Sequence, residues 1–412
     1  MMKRNTWNNK EVVLGVTGSI AAYKACELAS RMTELGAKVI PVLTRSAAEL
    51  VGPSTFEAIT GQRAITALFD SLQNPDVEHI TVASRASLFL IAPATANILA
   101  KAANGLADDW LSTTLLATRA PILFAPAMNT NMYAHPATQA NLNTLRARGC
   151  HFVGPEAGRL ACRTVGPGRL IDPPIILEAA SRLLDERNDL AGKRVLITSG
   201  ATREALDPVR YLSNRSSGKM GRALALEAMA RGAHVTVITG STESAPPHAA
   251  ERLNVETAEE MAEAVAQRLP EADVFVAAAA VADYRPAYAP SEKQKRTGQA
   301  LQLELVENPD VLARACGQRK HGQILVGFAA ETGDLVEMGR EKLRKKPVDL
   351  LVVNRVGPGQ CGFGADSVDA LLLDGSASVT DLGHAGKETV AEAVFDRVAQ
   401  SWQGRTSSGA PI

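Results

Sequence analysis

Four stretches of this chain gather residue types suited to binding and transforming small anionic molecules. In the first, Gly15-Val16-Thr17-Gly18-Ser19-Ile20-Ala21-Ala22-Tyr23-Lys24, small residues and a hydroxyl stand where an apolar run gives way to a helical pattern. Free backbone N–H groups and the helix dipole can hold a phosphate there. The stretch lacks the full Gly-x-Gly-x-x-Gly fingerprint and by itself reads equally as a tight turn. Two further polar loops follow apolar runs, Ala92-Pro93-Ala94-Thr95-Ala96-Asn97 and Ala125-Pro126-Ala127-Met128-Asn129. The second stretch, Gly158 to Arg169, is Gly-rich and basic and reads as a mobile flap; Cys162 within it is, locally, a small buried residue. In the third, Thr198 to Glu204, Asp207-Pro208-Val209-Arg210 and Ser213 to Gly221 supply hydroxyls, amides and cations for anions ahead of a helix. It is not a Walker loop, because Ser213 stands where glycine is required. The fourth, Lys293-Gln294-Lys295-Arg296, reads alone as a solvated charge run, and His79 alone as a surface or capping residue before a strand.

These loops need a scaffold that presents them together. Glu11 to Thr17, a helical pattern from Ala21 to Leu35, Gly36-Ala37 and Val39 to Leu43 read as strand, turn, helix, strand. The pattern recurs at Arg194 to Thr198, Gly221 to Arg231, Gly232-Ala233 and Val235 to Thr239. Further buried strands are expected at Leu88 to Ala92, Ile122 to Ala125, Val274 to Ala278, Ile324 to Phe328 and Leu350 to Val353. Alternation of this kind predicts an α/β protein with two tandem Rossmann-like domains and mainly parallel sheets, whose ligands bind beyond the carboxyl ends of the strands. The best boundary lies in Pro173 to Gly192, where a proline pair precedes a helix (Ile175 to Asp185) and a charged segment, giving domains 1–191 and 192–412. Thr406 to Ile412 reads as a frayed tail.

The chain has 412 residues, room for two or three domains at roughly 150 residues each. Lys+Arg and Asp+Glu both total 44, so no global field recruits nucleic acid or an anionic membrane, and phosphate recognition must be local. Apolar runs fall short of the roughly 18 to 20 residues of a membrane helix, and Met1 to Lys10 is polar, so a cytoplasmic protein is expected. Cys26, Cys150, Cys162, Cys316 and Cys361 are scattered without a Cys-x-x-Cys pair, implying neither a zinc site nor a disulfide framework.

With Gly18 to Lys24, Pro93 to Asn97 and Pro126 to Asn129, the first half resembles the homo-oligomeric flavin-containing cysteine decarboxylases. The resemblance implies a flavodoxin-like domain with FMN contacted by Gly18, Ser19, Ile20, Ser46, Pro93, Ala94, Thr95 and Asn97. It implies that Asn129 holds the substrate carboxylate, that His79 assists at thiol and carboxylate, and that Cys162 returns a proton to the product. Gly105 to Asp109 matches another loop of the family. One departure is Arg163-Thr164, where Gly-Glu is usual after the cysteine.

The second half resembles phosphopantothenate-cysteine ligases, and the pairing is similar to the bacterial bifunctional decarboxylase/ligase family of coenzyme A biosynthesis. The carriers are Ala277 to Pro286, the Lys293 loop, Asn308-Pro309-Asp310, Gly327 to Thr332 and Lys342 to Lys346; Ala201 and Gln294-Lys295-Arg296 depart slightly from the pattern. The implied domain is Rossmann-like/ribokinase-like. It condenses 4'-phosphopantothenate with cysteine through an acyl-cytidylate made from CTP, with Mg²⁺ or Mn²⁺ on the triphosphate. Lys293 would neutralise phosphate charge, while Asn214 and Arg210 position the acyl phosphate and the incoming cysteine. The CTP site would comprise Ala279, Asp283, Lys293, Asn308, Pro309, Asp310, Val311, Phe328, Lys342 and Lys346. The family also implies a homo-oligomer, a dodecamer, with no nucleic-acid or membrane partner. A nicotinamide dehydrogenase is disfavoured by the incomplete fingerprint. A non-catalytic flavoprotein regulator is disfavoured by His79, Asn129 and Cys162 occurring together.

Overall fold

The computed structural model describes residues 6–68, 78–185, 187–295, 301–357, 364–375 and 378–407. Arg296, Cys361 and residues 408–412 of the expected tail lie outside them. The chain divides into two compact units, Arg4–Glu186 and Arg187–Ile412. The break thus falls ahead of the expected 191/192, for two reasons. Leu190 is fully buried in the second core. Asp189 pairs at 3.1 Å with Arg231, a fully buried guanidinium that also meets Glu227 and Asp396. A buried cation is tolerated only when so partnered, and this one ties helix Lys219–Ala230 to helix Lys387–Ser407.

In the first unit, β1 (Glu11–Val16), β2 (Lys38–Leu43), β3 (Leu88–Ala94), β4 (Ile122–Pro126) and β5 (His151–Phe152) form a parallel sheet. Its order is β2-β1-β3-β4-β5. Because side chains alternate along a strand, Val12, Leu14 and Val16 pack with Leu28, Met32 and Ile176 on one face. Val13 packs with Phe89, Ile91, Trp110 and Leu142 on the other. Covering on both faces is why β3 is buried along its whole length and reads as a continuous apolar run.

Local chemistry moves two expected boundaries. The helix placed at Ala21 begins as a single 3-10 turn, Ile20–Tyr23, capped by Ser19, and becomes α-helical over Lys24–Glu34. Pro173 and Pro174 lie inside the first turn of helix Pro173–Leu184, where a missing N–H costs nothing. The flap expected over Gly158 to Arg169 is built on an antiparallel hairpin of β6 (Glu156–Arg159) and β7 (Val165–Arg169).

The second unit's main sheet holds β8 (Arg194–Ser199), β11 (His234–Thr239), β12 (Glu251–Asn254), β13 (Val274–Ala277), β16 (Ile324–Glu331), β17 (Leu350–Arg355), β18 (Ser367–Asp374) and β19 (Val379–Gly386). Two small antiparallel pairs flank its loops: β9 (Arg203–Ala205) with β10 (Tyr211–Ser213), and β14 (Tyr284–Pro286) with β15 (Leu305–Glu307). The order β12-β11-β8-β13-β16-β17 is parallel and has the 3-2-1-4-5-6 pattern of a dinucleotide fold. The extension by β18 and β19 is antiparallel. Strand order reverses beside β1 in one sheet and beside β8 in the other, so each unit opens a crevice at the carboxyl ends of its central strands.

Candidate active sites

In the first unit two cavities adjoin where Gly18 lines one and Ser19 the other. The larger, about 660 Å³, is walled by Thr17, Gly18, Thr44, Ser46, Thr95 and Asn97 at the ends of β1, β2 and β3, and by Lys101, Asp108 and Asp109. Gly18 has no substitute here, since a Cβ on it would stand 2.4 Å from the Cβ of Ser46. Thr17 Oγ1 donates to the Pro93 carbonyl at 2.7 Å and accepts from the Thr95 N–H at 3.0 Å, locking the β1 and β3 loops together. Thr95 precedes helix Ala96–Asn104 without a side-chain cap, so that helix presents its first N–H groups to the cavity. Lys101 Nζ bridges Asp108 at 2.6 Å and Asp109 at 2.7 Å. Small residues, hydroxyls and unspent N–H groups around such a space suit the phosphate and ring of a flavin.

The second cavity, about 540 Å³, is lined by Ser19, Ile20, Lys24, Asn129, Arg159, Cys162 and Arg169 among others. Asn129 caps helix Thr130–Ala134: its Oδ1 accepts from the Asn131 N–H at 2.8 Å. That fixes the amide so that Nδ2 donates to Cys162 Sγ at 3.3 Å, the orientation needed to meet a carboxylate. The Cys162 thiol is held below its ordinary value by the Thr164 hydroxyl, then by the Thr164 backbone and the Asn129 amide. Burial pushes the thiols of Cys26, Cys150 and Cys316 up instead. Among the described cysteines, Cys162 alone is exposed, and its thiol alone is held low.

Of the expected flavin contacts, Gly18, Ser46, Thr95 and Asn97 line the larger cavity and Ser19 and Ile20 the smaller; Pro93 and Ala94 finish β3 and line neither. Asn129 and Cys162 come together, but His79 lines neither cavity. It lies in helix Glu78–Arg85, ahead of β3, and that helix packs on helix Trp110–Ala117. Sequence reasoning missed Lys101, which lies in a helix interior with no local signal.

The second unit's cavity, about 600 Å³, collects nearly all of the nucleotide residues proposed from sequence: Ala279, Asp283, Asn308, Pro309, Asp310, Val311, Phe328, Lys342 and Lys346. Asn308 Nδ2 donates to the Ala282 carbonyl at 2.9 Å, and its Oδ1 accepts from Arg285 at 3.0 Å. Lys342 pairs with Glu331 at 2.6 Å and Lys346 with Asp310, so two cations wait on carboxylates at one wall. Arg285 and Glu331 had been given no role from sequence. Lys293 does not line this cavity.

The Lys293 loop is instead tied to the β9–β10 turn. Asp207, with its side chain wholly buried, accepts from the N–H groups of Val209 and Arg210 at 2.8 Å each, from the Arg210 guanidinium, and from the Gln294 N–H at 3.3 Å. Arg210 also donates to the Gln294 carbonyl at 3.0 Å. The Arg210 guanidinium holds the Asp207 carboxyl far below the usual carboxylate range. Asn214 Nδ2 donates to the carbonyl of Val281, a cavity residue, at 2.8 Å. Arg210 and the lysine loop thus meet directly, and Asn214 meets the cavity wall. Among the described residues, no group of three or more His, Cys, Asp or Glu could hold a metal ion, and no helix is long and apolar enough to cross a membrane.

Residues 2–184 match the Flavoprotein family model, and residues 190–401 match that of the DNA/pantothenate metabolism flavoprotein C-terminal domain. The chain is 44% identical over 413 residues to the coenzyme A biosynthesis bifunctional protein CoaBC of Mycobacterium tuberculosis strain ATCC 25618 / H37Rv, covering 97% of this chain and 98% of that protein. It is 45% identical over 364 residues to the protein of the same name from Bacillus subtilis strain 168, covering 87% and 89%. A solved C-terminal domain of a coenzyme A biosynthesis bifunctional protein CoaBC is 36% identical, covers 53% of this chain and 99% of that one, and gives a TM-score of 0.45. Two matched halves in one chain, and relatives alike over most of their length, place the chain in the CoaBC family of bifunctional coenzyme A biosynthesis proteins.

Proposed function

We propose that the chain makes 4'-phosphopantetheine in two steps. The second unit uses CTP to join cysteine to 4'-phosphopantothenate, and the first decarboxylates the product with FMN. The observation that carries the reading is the coexistence, in a chain of this family, of an Asn129–Cys162 pair beside one crevice and a two-lysine cavity at another.

In the ligase step the substrate carboxylate displaces pyrophosphate from CTP, and the cysteine amine then displaces CMP from the acyl-cytidylate. Lys342 and Lys346 exchange their carboxylate partners for the triphosphate, which Mg²⁺ or Mn²⁺ accompanies. Lys293 neutralises charge on the phosphates as a flexible point cation, while Arg210 and Asn214 orient the acyl phosphate and the attacking amine. Ala279, Asp283, Asn308 to Val311 and Phe328 shape the cavity around the nucleotide.

In the decarboxylation step FMN, when bound, supplies the electron sink that an unactivated carboxylate lacks, and the reaction closes without net redox change. Gly18, Ser46, Thr95 and Asn97 hold it, with Ser19 and Ile20 at the junction of the cavities. Asn129 Nδ2 holds the departing carboxylate, Cys162 delivers a proton to the product, and His79 assists at the thiol and carboxylate. The reading includes a homo-oligomer and a cytoplasmic location. Lys293→Gln is expected to stop amide formation while sparing decarboxylation of supplied phosphopantothenoylcysteine; equal loss of both would overturn the division of labour.

A further inference from the structure

The turn joining β6 to β7 brings a hydroxyl to the Cys162 sulfur. Leu160 N–H donates to the Thr164 carbonyl and Arg163 N–H to the Leu160 carbonyl, both at 2.9 Å. Between them Arg163 takes φ +67°, a left-handed conformation that turns the chain back on itself. The side chains of Cys162 and Thr164 consequently meet, with Sγ and Oγ1 3.1 Å apart. The Asn129 amide also donates to the sulfur, at 3.3 Å; it caps helix Thr130–Ala134 after β4 and is itself oriented by the Asn131 N–H. The sulfur is thus gripped from two separate elements.

We propose that Thr164 is a positioning residue for proton delivery by Cys162, its hydroxyl donating to Sγ alongside the Asn129 amide so that the S–H hydrogen is left facing the substrate cavity. The inference rests on the reading of Cys162 as the terminal acid. In that step the S–H bond breaks, a C–H bond forms at the product carbon, and the electron pair stays on sulfur as a thiolate, which later regains a proton from water. Two donors already directed at sulfur stabilise that thiolate as it forms, whereas a carboxylate at the same position could not donate. Threonine suits the task because its branched Cβ restricts χ1 and holds the hydroxyl in place. The lowered thiol pKa agrees with this geometry. Tyr23, Lys24, Arg159 and Arg169 are the other titratable or charged groups lining the cavity; none is altered by a change at 164.

The test uses the full-length, FMN-loaded protein and three variants: Thr164→Val, which keeps the branched shape without the hydroxyl, Thr164→Ser, which restores the hydroxyl, and Cys162→Ser. The rate of Cys162 alkylation by iodoacetamide is followed across neutral to alkaline pH by peptide mass spectrometry, with retained flavin absorbance as the check on folding. Thr164→Val should slow alkylation at neutral pH by about threefold to tenfold and move its midpoint upward, with Thr164→Ser within about twofold of the parent. Decarboxylation of supplied phosphopantothenoylcysteine should fall in the same order. An unmoved midpoint in Thr164→Val, or a moved midpoint with full turnover, overturns the role of Thr164 while leaving that of Cys162 intact. Normal turnover by Cys162→Ser overturns the acid reading itself, and the inference with it.

Discussion

Asn129 shows how one side chain is prepared for one task. Its carbonyl oxygen is spent on capping a helix, so only the NH₂ end faces the cavity, and that end can receive a carboxylate but not a cation. Asn129→Asp would set a carboxylate against the substrate's own. We expect decarboxylation to fall by at least about a hundredfold, as for loss of an oriented donor, with CTP-dependent ligation unchanged in the same preparation. Lys342 is prepared differently, its charge held by Glu331 until a better anion arrives. Lys342→Met should raise the KM for CTP by about tenfold with little change in kcat. A fall in kcat at unchanged KM would instead give Lys342 a transition-state role.

At the scale of elements, turns hold the loops beside the second unit's cavity. Asp207 joins the β9–β10 turn to the lysine loop through Arg210 and the Gln294 backbone. Asp207→Asn would put amide donors against those donors and release the loop, so amide formation should fall about tenfold to a hundredfold while decarboxylation continues. The pH dependence has a definite sign. A carboxyl held below its ordinary range contributes its full stability above that range and loses it only as pH falls through the depressed folded value. The thermal-midpoint difference between the parent and Asp207→Asn should therefore persist through mildly acidic pH and shrink only in strong acid. In the flap, Arg163 holds a conformation that costs a non-glycine residue about 1 kcal/mol, so Arg163→Gly should slow hydrogen exchange at the Leu160 amide by about fivefold.

Across the whole molecule, what could be read in the sequence follows from the sheets. Parallel strands covered on both faces are continuous apolar runs, and their ligands sit just beyond them, so Gly18, Thr95 and Asn129 could be found in the loops that follow such runs. In the antiparallel pair β18–β19, β19 is polar and largely exposed and carries no such run, so its pairing with the short apolar run of β18 is not legible from the sequence. Asp207 was visible only as part of an Asp-Pro turn; its partner Gln294 is 87 residues away, a pairing only the fold can make. His79 carries a role only through the resemblance, and it is not among the residues lining either cavity of its own unit. If the two activities belong to separate sites, Lys293→Gln and His79→Asn proteins should each fail to make 4'-phosphopantetheine alone and succeed when mixed, the intermediate passing through solution. The most direct measurement supplies 4'-phosphopantothenate, cysteine and CTP with Mg²⁺ to the pure, flavin-loaded protein and follows the products by mass spectrometry. The two-step conversion should give pyrophosphate, CMP and phosphopantothenoylcysteine, followed by loss of carbon dioxide to give 4'-phosphopantetheine. CTP left unconsumed, or an acid that accumulates without losing carbon dioxide, would contradict it.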